Sequence, residues 1–346
     1  TPHDRTRRQR QMCIRDRSLL EQILESDQPL HAVALKGSEA AGFVSPETTG
    51  VLYATLKRMT TEKDRCPDVF IWGGVATPEA AAAFLCSGVK AIVFESLHWQ
   101  TDLVAAEPAL KKRLSRLRPE HTAVVGHSLD AACRLYDKGN SLAVRELKQH
   151  ADAHVSCETD MHQRHAFARR IVEAVVPALE SDLSRETLVF MGPEAAFANA
   201  FTNRFGRSTG QALTAFSKEV ERLCWQAPQK LDTFSDSSVA RTLGIRYPIF
   251  QGAMTWVSDI PAFARSVADA GGLPALALGM KSRADLEREF VRLATIMGDR
   301  PYAVNFIALP ENPYLSEQLE WIDQLCPPFA VIAAGDPSHA ARLHAK

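Results

Sequence analysis

The run YPIFQGAMTWVSDIPAFARSVADAGGLPALAL, residues 247–278, decides how the chain reads. Residues 247–250 form a short apolar run of strand length. The loop 251–258 follows and holds Gly252, read as a place suited to a bare backbone. Ser258 or Asp259 then caps a helix whose first turn holds Pro261, a place where a missing N–H costs nothing. Ile260, Phe263, Ala264 and Val267 recur at helical spacing and give that helix one apolar face. Gly271-Gly272 ends it, and 273–278 is the next buried strand. The result is a βαβ unit whose strand-to-helix loop carries side chains rather than merely turning.

Working outward, the same alternation recurs on both sides. A helix at 19–25 leads to a strand at 31–35, a glycine-bearing loop at 36–43 and a helix around 50–59. The strand 69–72 runs into Gly73-Gly74, and Thr77 caps a helix opened by Pro78-Glu79. The alanine-rich stretch 80–86 continues that helix, Gly88 stops it, and a strand over 89–94 ends at Glu95-Ser96. Downstream, Leu286, Phe290, Leu293 and Met297 line one helix face, and 302–307 is a strand with Asn305 near its end. Leu315, Leu319 and Ile322 mark another helix, and the strand 329–333 runs into Ala334-Gly335. Strand and helix alternating at this spacing predict α/β architecture with parallel sheets. Residues 100–240 read as mostly helical, with a basic helix at 109–117, a long amphipathic helix at 166–183 and another at 195–205. A short strand is expected at 188–191, and the polar stretch 226–238, with Pro228, reads as the linker.

At 346 residues, 46% of them apolar, the chain has material for two or three domains, or for one large barrel with additions. A net charge of −1 gives no reason to expect nucleic acid or an anionic membrane surface as partner. No apolar run is long enough to span a bilayer. The seven cysteines are scattered and odd in number, without a CxxC, which favours a reducing, cytoplasmic setting over a disulfide framework. Residues 1–17 are strongly basic and nearly free of core residues, as in a transit peptide or basic arm. However, Gln11-Met-Cys-Ile-Arg-Asp-Arg17 resembles translated sequencing adapter, so 1–17 is set aside as an artefactual or disordered leader on a fragment.

The 247–278 run resembles the start of the nitronate monooxygenase (2-nitropropane dioxygenase) family of flavin enzymes. The resemblance implies FMN as cofactor and (βα)8 TIM-barrel segments of the FMN-dependent, aldolase type. It places Gln251, Gly252, Ala253 and Met254 against the FMN and Asn305 near the flavin ring. The earlier block resembles the late strands of the same family. Lys36-Gly37 and the residues to Gly42 resemble the segment after strand six, Gly73-Gly74-Val75 the Gly-Gly-Ile after strand seven, and 90–96 the end of strand eight. Barrel phosphate sites form from the loops after strands seven and eight, so Gly73, Gly74, Glu95 and Ser96 are implied as phosphate contacts, beside Lys36 and Gly37. Two residues depart from the family pattern. Glu95-Ser96 stands where Gly-Thr is usual, and Phe43 stands where the family has its catalytic His; a phenyl ring takes no proton.

The implied organisation is two incomplete barrels: 18–120 the C-terminal part of one, 121–240 a helical spacer, and 241–346 the N-terminal part of another. Strands late and early closing on one another is the other arrangement. The spacer resembles that between flavin-barrel-like domains of very large type I polyketide synthase proteins. The implied function is an FMN-dependent oxidoreductase of the nitronate monooxygenase type, as a module of a polyketide or fatty acid synthase-like protein. Its substrate would be a small molecule or a carrier-bound acyl chain, and its partners other synthase domains. A flavin-dependent enoyl reductase and a non-catalytic barrel scaffold are the alternatives.

Other constellations carry less. His150, His154, Cys157, His162 and His165 crowd a polar helical stretch with no turn to converge them on zinc, and read as solvated surface. Gly126-His127-Ser128 lacks the G-x-S-x-G setting of a hydrolase elbow. Cys86, Cys133 and Cys224 read as core, and Lys111, Lys112, Arg113, Arg116 and Arg118 as a solvent-facing basic helix. Trp72 and Trp256 flank the two implied site loops, as core or as pocket walls.

Overall fold

The computed structural model describes residues 11–14, 21, 31–61, 67–153 and 161–344. The chain divides into two compact units, Thr1–Ala227 and Pro228–Lys346.

The first unit runs β1 (Gln11–Ile14), β2 (Ala32–Lys36), β3 (Gly42–Phe43), α1 (Thr49–Thr60), β4 (Asp68–Trp72), α2 (Pro78–Cys86), β5 (Ala91–Val93) and α3 (Pro108–Leu114). It continues with β6 (Thr122–Val125), β7 (Cys133–Tyr136), α4 (Leu142–Asp152), α5 (Met161–Ala174), a 3₁₀ turn (Pro193–Phe197), α6 (Ala198–Phe205) and α7 (Thr209–Asp232). Strands β1-β2-β4-β5 form one parallel sheet in that order. Alternation along β2 and β4 sends Val33, Leu35, Val69 and Ile71 into a core with Leu52 and Leu56 of α1 and Phe201 and Phe216 of α6 and α7. The helix starts follow the sequence: the Thr48 side chain accepts from Val51 N–H, and that of Thr77 from Ala80 N–H.

Three expectations for this part of the chain change. Residues 11–14, set aside with the leader, form a strand parallel to β2 with Gln11 opposite Ala32. Met12-Cys13-Ile14 is an apolar run of strand length, and the edge of β2 offers it backbone partners. The expected helix at 19–25 lies, apart from Glu21, outside the described residues. The region read as a helical spacer holds a three-stranded antiparallel sheet, β3-β7-β6, with Gly42 opposite Arg134 and Val125 opposite Cys133. Its strands are too short for periodicity to announce them. Gly126 and Asp130, both left-handed, bracket the connection between β6 and β7. The expected strand 188–191 contributes only isolated bridges, Leu135 to Phe190 and Val175 to Leu188.

The second unit holds α8 (Ser238–Leu243), β8 (Phe250–Gln251), α9 (Pro261–Asp269), β9 (Leu273–Ala277), α10 (Arg283–Glu289), α11 (Leu293–Met297), β10 (Ala303–Ile307), α12 (Leu315–Leu325), β11 (Phe329–Ala333) and α13 (Ser338–His344). Strands β8-β9-β10-β11 make a parallel sheet in sequential order. Among the described residues β11 pairs with β10 alone, so its other edge is unpaired. Leu276, Leu278, Val304 and Phe306 point to the helix layer and meet Ala264, Leu286, Leu319 and Ile322. The single helix expected through Leu286 and Met297 is two helices, α10 and α11. All four face residues are nonetheless buried in one cluster, because the spacing of a buried face does not reveal a break within it. The linker expected at 226–238 is likewise interrupted: α7 carries Pro228 inside it, four residues from its end. A proline there removes one i→i−4 hydrogen bond of the helix.

Each unit is therefore α/β with an open parallel sheet, and neither sheet closes into a barrel among the described residues. No helix of the described residues is long and apolar enough to cross a membrane.

Candidate functional site

In the first unit the implied phosphate loops come together, and the backbone donors of Glu95 and Ser96 are taken by the chain's own Glu194. Glu194, 2% exposed, accepts at Oε1 from Glu95 N–H (2.8 Å), Ser96 N–H (2.6 Å) and Ser96 Oγ (3.2 Å). Its Oε2 is buried without a partner. Glu95 accepts at Oε2 from Ala41 N–H (2.7 Å) and at Oε1 from Trp72 Nε1 (2.5 Å), with Lys36 Nζ at 3.7 Å. The same ammonium lies 4.6 Å from the Trp72 ring centre. Glu39 accepts from Thr49 N–H (2.9 Å) and Thr49 Oγ1 (3.1 Å), satisfying an orphan donor at the start of α1.

The glycines of these loops serve internal packing. A Cβ on Gly73, at φ +94°, would lie 2.5 Å from Ala40 N, and one on Gly37 would overlap Thr49. Gly192 passes so close that a Cβ would meet Glu39 O at 3.1 Å and Glu95 Oε2 at 3.3 Å. That approach lets Pro193-Glu194 deliver the carboxyl. Burial pushes the Glu194 carboxyl above the usual range, against the pull of the Ser96 and Glu95 amides; the Glu95 charge adds to the rise. A phosphate here would meet the Glu95 and Ser96 donors already used and the carboxylates of Glu194 and Glu95 beside them. Residues Lys36, Gly37, Gly73, Gly74, Glu95 and Ser96 thus assemble as a cluster, but in this arrangement they do not fit a phosphate.

Phe43 packs edge-on against Phe190, ring centres 6.1 Å apart. It also lines a cleft of about 430 Å³ with Val44, Asp130, Arg164 and His165, in which Arg164 and Asp130 pair at 2.7 Å.

In the second unit residues 252–254 follow the carboxyl end of β8, whereas Asn305 lies in the middle of β10 rather than near its end, with β9 between the two strands. Gln251 Oε1 accepts from Ala275 N–H at 3.2 Å, which ties the end of β8 to β9. At Gly252 a Cβ would meet nothing within 4 Å, so one side of that backbone is open. Met254 is half exposed, and its N–H donates to the buried Ser258 Oγ at 2.7 Å, while Ser258 N–H returns to Met254 O at 2.8 Å. Trp256 is 86% exposed and holds a left-handed φ of +70°. Asn305 stands in register between Ala277 and Val331 and donates to Val331 O at 3.0 Å. Taken singly, Gly252 offers open backbone, Met254 a half-exposed apolar side chain and Asn305 an amide, the kinds of group that suit a flat, polar-edged ligand.

Sequence reasoning missed the residues that hold these loops. Gln318, fully buried, donates to Gly279 O (3.1 Å) and Lys281 O (3.0 Å), and accepts from Asn312 Nδ2 at 3.1 Å. Asn312 also donates to Ile307 O at 2.9 Å. The signal was present: Gln318 sits three residues after Leu315, on the apolar face of α12. Lys281 pairs with Asp259 at 3.3 Å and with Glu289. Burial works against its charge, but Glu289 and Asp259 outweigh that and raise its pKa. Glu194 was passed over because its helical turn lies about a hundred residues from the loop it enters.

The remaining constellations resolve simply. His150 stacks on Phe167 at 5.9 Å, His165 lines the cleft of Phe43, and His154 and Cys157 lie outside the described residues. Among the described residues no group of three metal-ligating side chains gathers. Cys133 is buried as expected and Cys224 partly so, whereas Cys86, at the last position of α2, is exposed.

Comparison with known proteins finds likeness over part of the chain. The family model described as nitronate monooxygenase matches residues 236–328, within the second unit. A nitronate monooxygenase of Pseudomonas aeruginosa is 38% identical over 105 residues, 30% of this chain and 29% of that protein. One from Paraburkholderia phytofirmans is 33% identical over 103 residues, 30% of this chain and 28% of that protein. The chain thus spans under a third of the length of the curated relatives it matches. Among solved structures, FabK from Thermotoga maritima aligns at 16% identity and TM-score 0.46, over 64% of this chain and 63% of that one. The enoyl reductase domain of MlnA from Bacillus amyloliquefaciens aligns at 13% and 0.45, over 64% and 69%. The matched part of the chain is nitronate monooxygenase-like.

Proposed function

We propose that the second unit carries the flavin-facing start of an FMN-dependent oxidoreductase of the nitronate monooxygenase type. One observation carries the reading: the family match coincides with the unit whose loop 251–254 stands open at the carboxyl ends of parallel strands. Ligands of α/β sheets bind at that end.

In this reading Gln251, Gly252, Ala253 and Met254 lie along the cofactor and Asn305 meets its polar edge. Bound FMN supplies the acceptor for a hydride or electrons from substrate. The chain's own residues bind and orient. Ser258 fixes the Met254 backbone, Gln251 locks the loop to β9, and the Gln318–Asn312 pair holds the neighbouring loops. The substrate is a small molecule or a carrier-bound acyl chain, in a cytoplasmic polyketide or fatty acid synthase-like protein whose other domains are the partners. Phe43 supports assigning the first unit no proton transfer of the family's kind.

The test is a titration of FMN fluorescence with the full chain, followed by comparison of nitronate and enoyl substrates. Saturable quenching that is lost on Asn305→Leu is the expected result. A folded chain that leaves FMN fluorescence unchanged overturns the reading.

A further inference from the structure

The first unit contains an anion cradle with an occupant already in it. Two consecutive backbone N–H groups, of Glu95 and Ser96, converge with Ser96 Oγ on one oxygen of Glu194. Converging donors of this kind, at the end of a parallel strand, are what an anion needs. The occupant is a side chain from a 3₁₀ turn, carried over Glu39 and Glu95 by Gly192, whose lack of Cβ permits the close approach. The arrangement is more than a satisfied turn. The other Glu194 oxygen is buried and unpartnered, with the Glu95 carboxylate beside the same loop. A carboxyl in that position is held there at a cost, since desolvated charge is disfavoured and nearby like charge adds to the penalty.

We infer that Glu194 is a built-in substitute for an anionic ligand: it closes the cradle of Glu95 and Ser96, and the first unit binds no phosphate-bearing molecule there while Glu194 is in place. The inference concerns the first unit alone and stands whether or not the second unit holds a flavin. Removing the carboxyl frees three donors, with Lys36 the nearby cation. The cradle then becomes a site for a small oxyanion.

Inorganic phosphate is the probe, read through the backbone amide resonances of Glu95 and Ser96 in the ¹⁵N-labelled full chain. In the wild-type protein phosphate is expected to leave both amides unmoved, while lowering the pH shifts both as Glu194 takes up a proton. In Glu194→Ala the same two amides are expected to move with phosphate in a saturable way. Glu194→Gln, which keeps an acceptor in the cradle, is expected to stay unresponsive. Wild-type amides that follow phosphate, or a folded Glu194→Ala chain whose amides ignore it, overturns the inference. If the alanine variant does not fold, Glu194→Ser, which also removes the carboxyl, is read in the same way.

Discussion

Gln318 donates its side-chain amide to the carbonyl of Gly279, 3.1 Å away and 39 positions earlier in the chain. The bond joins the apolar face of α12 to the loop after β9. With the companion bonds to Lys281 and Asn312 it turns two loops at the site end of the second sheet into one braced surface. Gln318→Leu keeps the volume and removes the bracing, leaving buried polar groups unpaired at about 1–3 kcal/mol each. Hydrogen exchange should show protection lost in β9 and β10, with the first unit unchanged.

Gly252 and Gly73 give opposite expectations for the same change. Gly252→Ala adds a methyl where nothing lies within 4 Å, so stability should stay within about 0.5 kcal/mol. If the loop lies against a flavin, FMN affinity should nevertheless fall. Gly73→Ala drives a Cβ into the backbone of Ala40 at positive φ and should cost several kcal/mol, on the order of a severe core defect. Thermal melts of both variants beside an FMN titration of the first separate a packing glycine from one facing a ligand.

Stability should depend on pH through Glu194. Its carboxyl is raised in the folded state, so between the unfolded and folded pKa values the native protein holds more protons than the unfolded chain. Native stability therefore falls as pH rises through that window, which begins near the usual carboxyl value and extends upward. Glu194→Gln removes the titration. Its melting temperature relative to wild type should be more favourable at pH 7 than at pH 4. A constant difference across that range would count against a raised carboxyl.

Phe43→His restores the residue type of the family but not its setting. Phe43 packs on Phe190 on one side and lines the cleft with Asp130, Arg164 and His165 on the other, so a polar ring there loses the aromatic contact and should destabilise the first unit by about 1 kcal/mol. Oxygen consumption with a nitronate should not rise. A gain in turnover would show that the first unit brings substrate and flavin to this position.

Much of this was legible because the local signals agreed with one another. Thr77-Pro78-Glu79 announced α2, and the observed Thr77 cap is the bond that signal implies. The run from Tyr247 to Leu278 gave helix, glycine stop and buried strand in order, but β8 is shorter than its apolar stretch and the helix cap is Ile260, without a side-chain bond, because the Ser258 hydroxyl is turned to Met254. What stayed hidden was pairing at a distance. The four-residue strands β6 and β7 gain their meaning from Gly42 and Phe43, some eighty to ninety residues away. The glycines of the first unit looked like contacts for a ligand because a glycine reports close approach without naming what approaches. Here it is Ala40 and Thr49.

Strand β11 reads FAVIA: five apolar residues without charge, proline or glycine, hydrogen-bonded on one side only among the described residues. Natural sheets guard such a border with lysine, a bulge or a covering segment, and this strand carries no lysine of its own. Its unpaired amides and carbonyls are a template on which an identical strand can add in register, and the exposed Val331 gives the addition an apolar seam. Self-association of the 346-residue chain is the outcome this edge predicts, through the same strand that supplies the acceptor for Asn305. Concentration-dependent sedimentation of the chain, relieved in Val331→Lys, would display it.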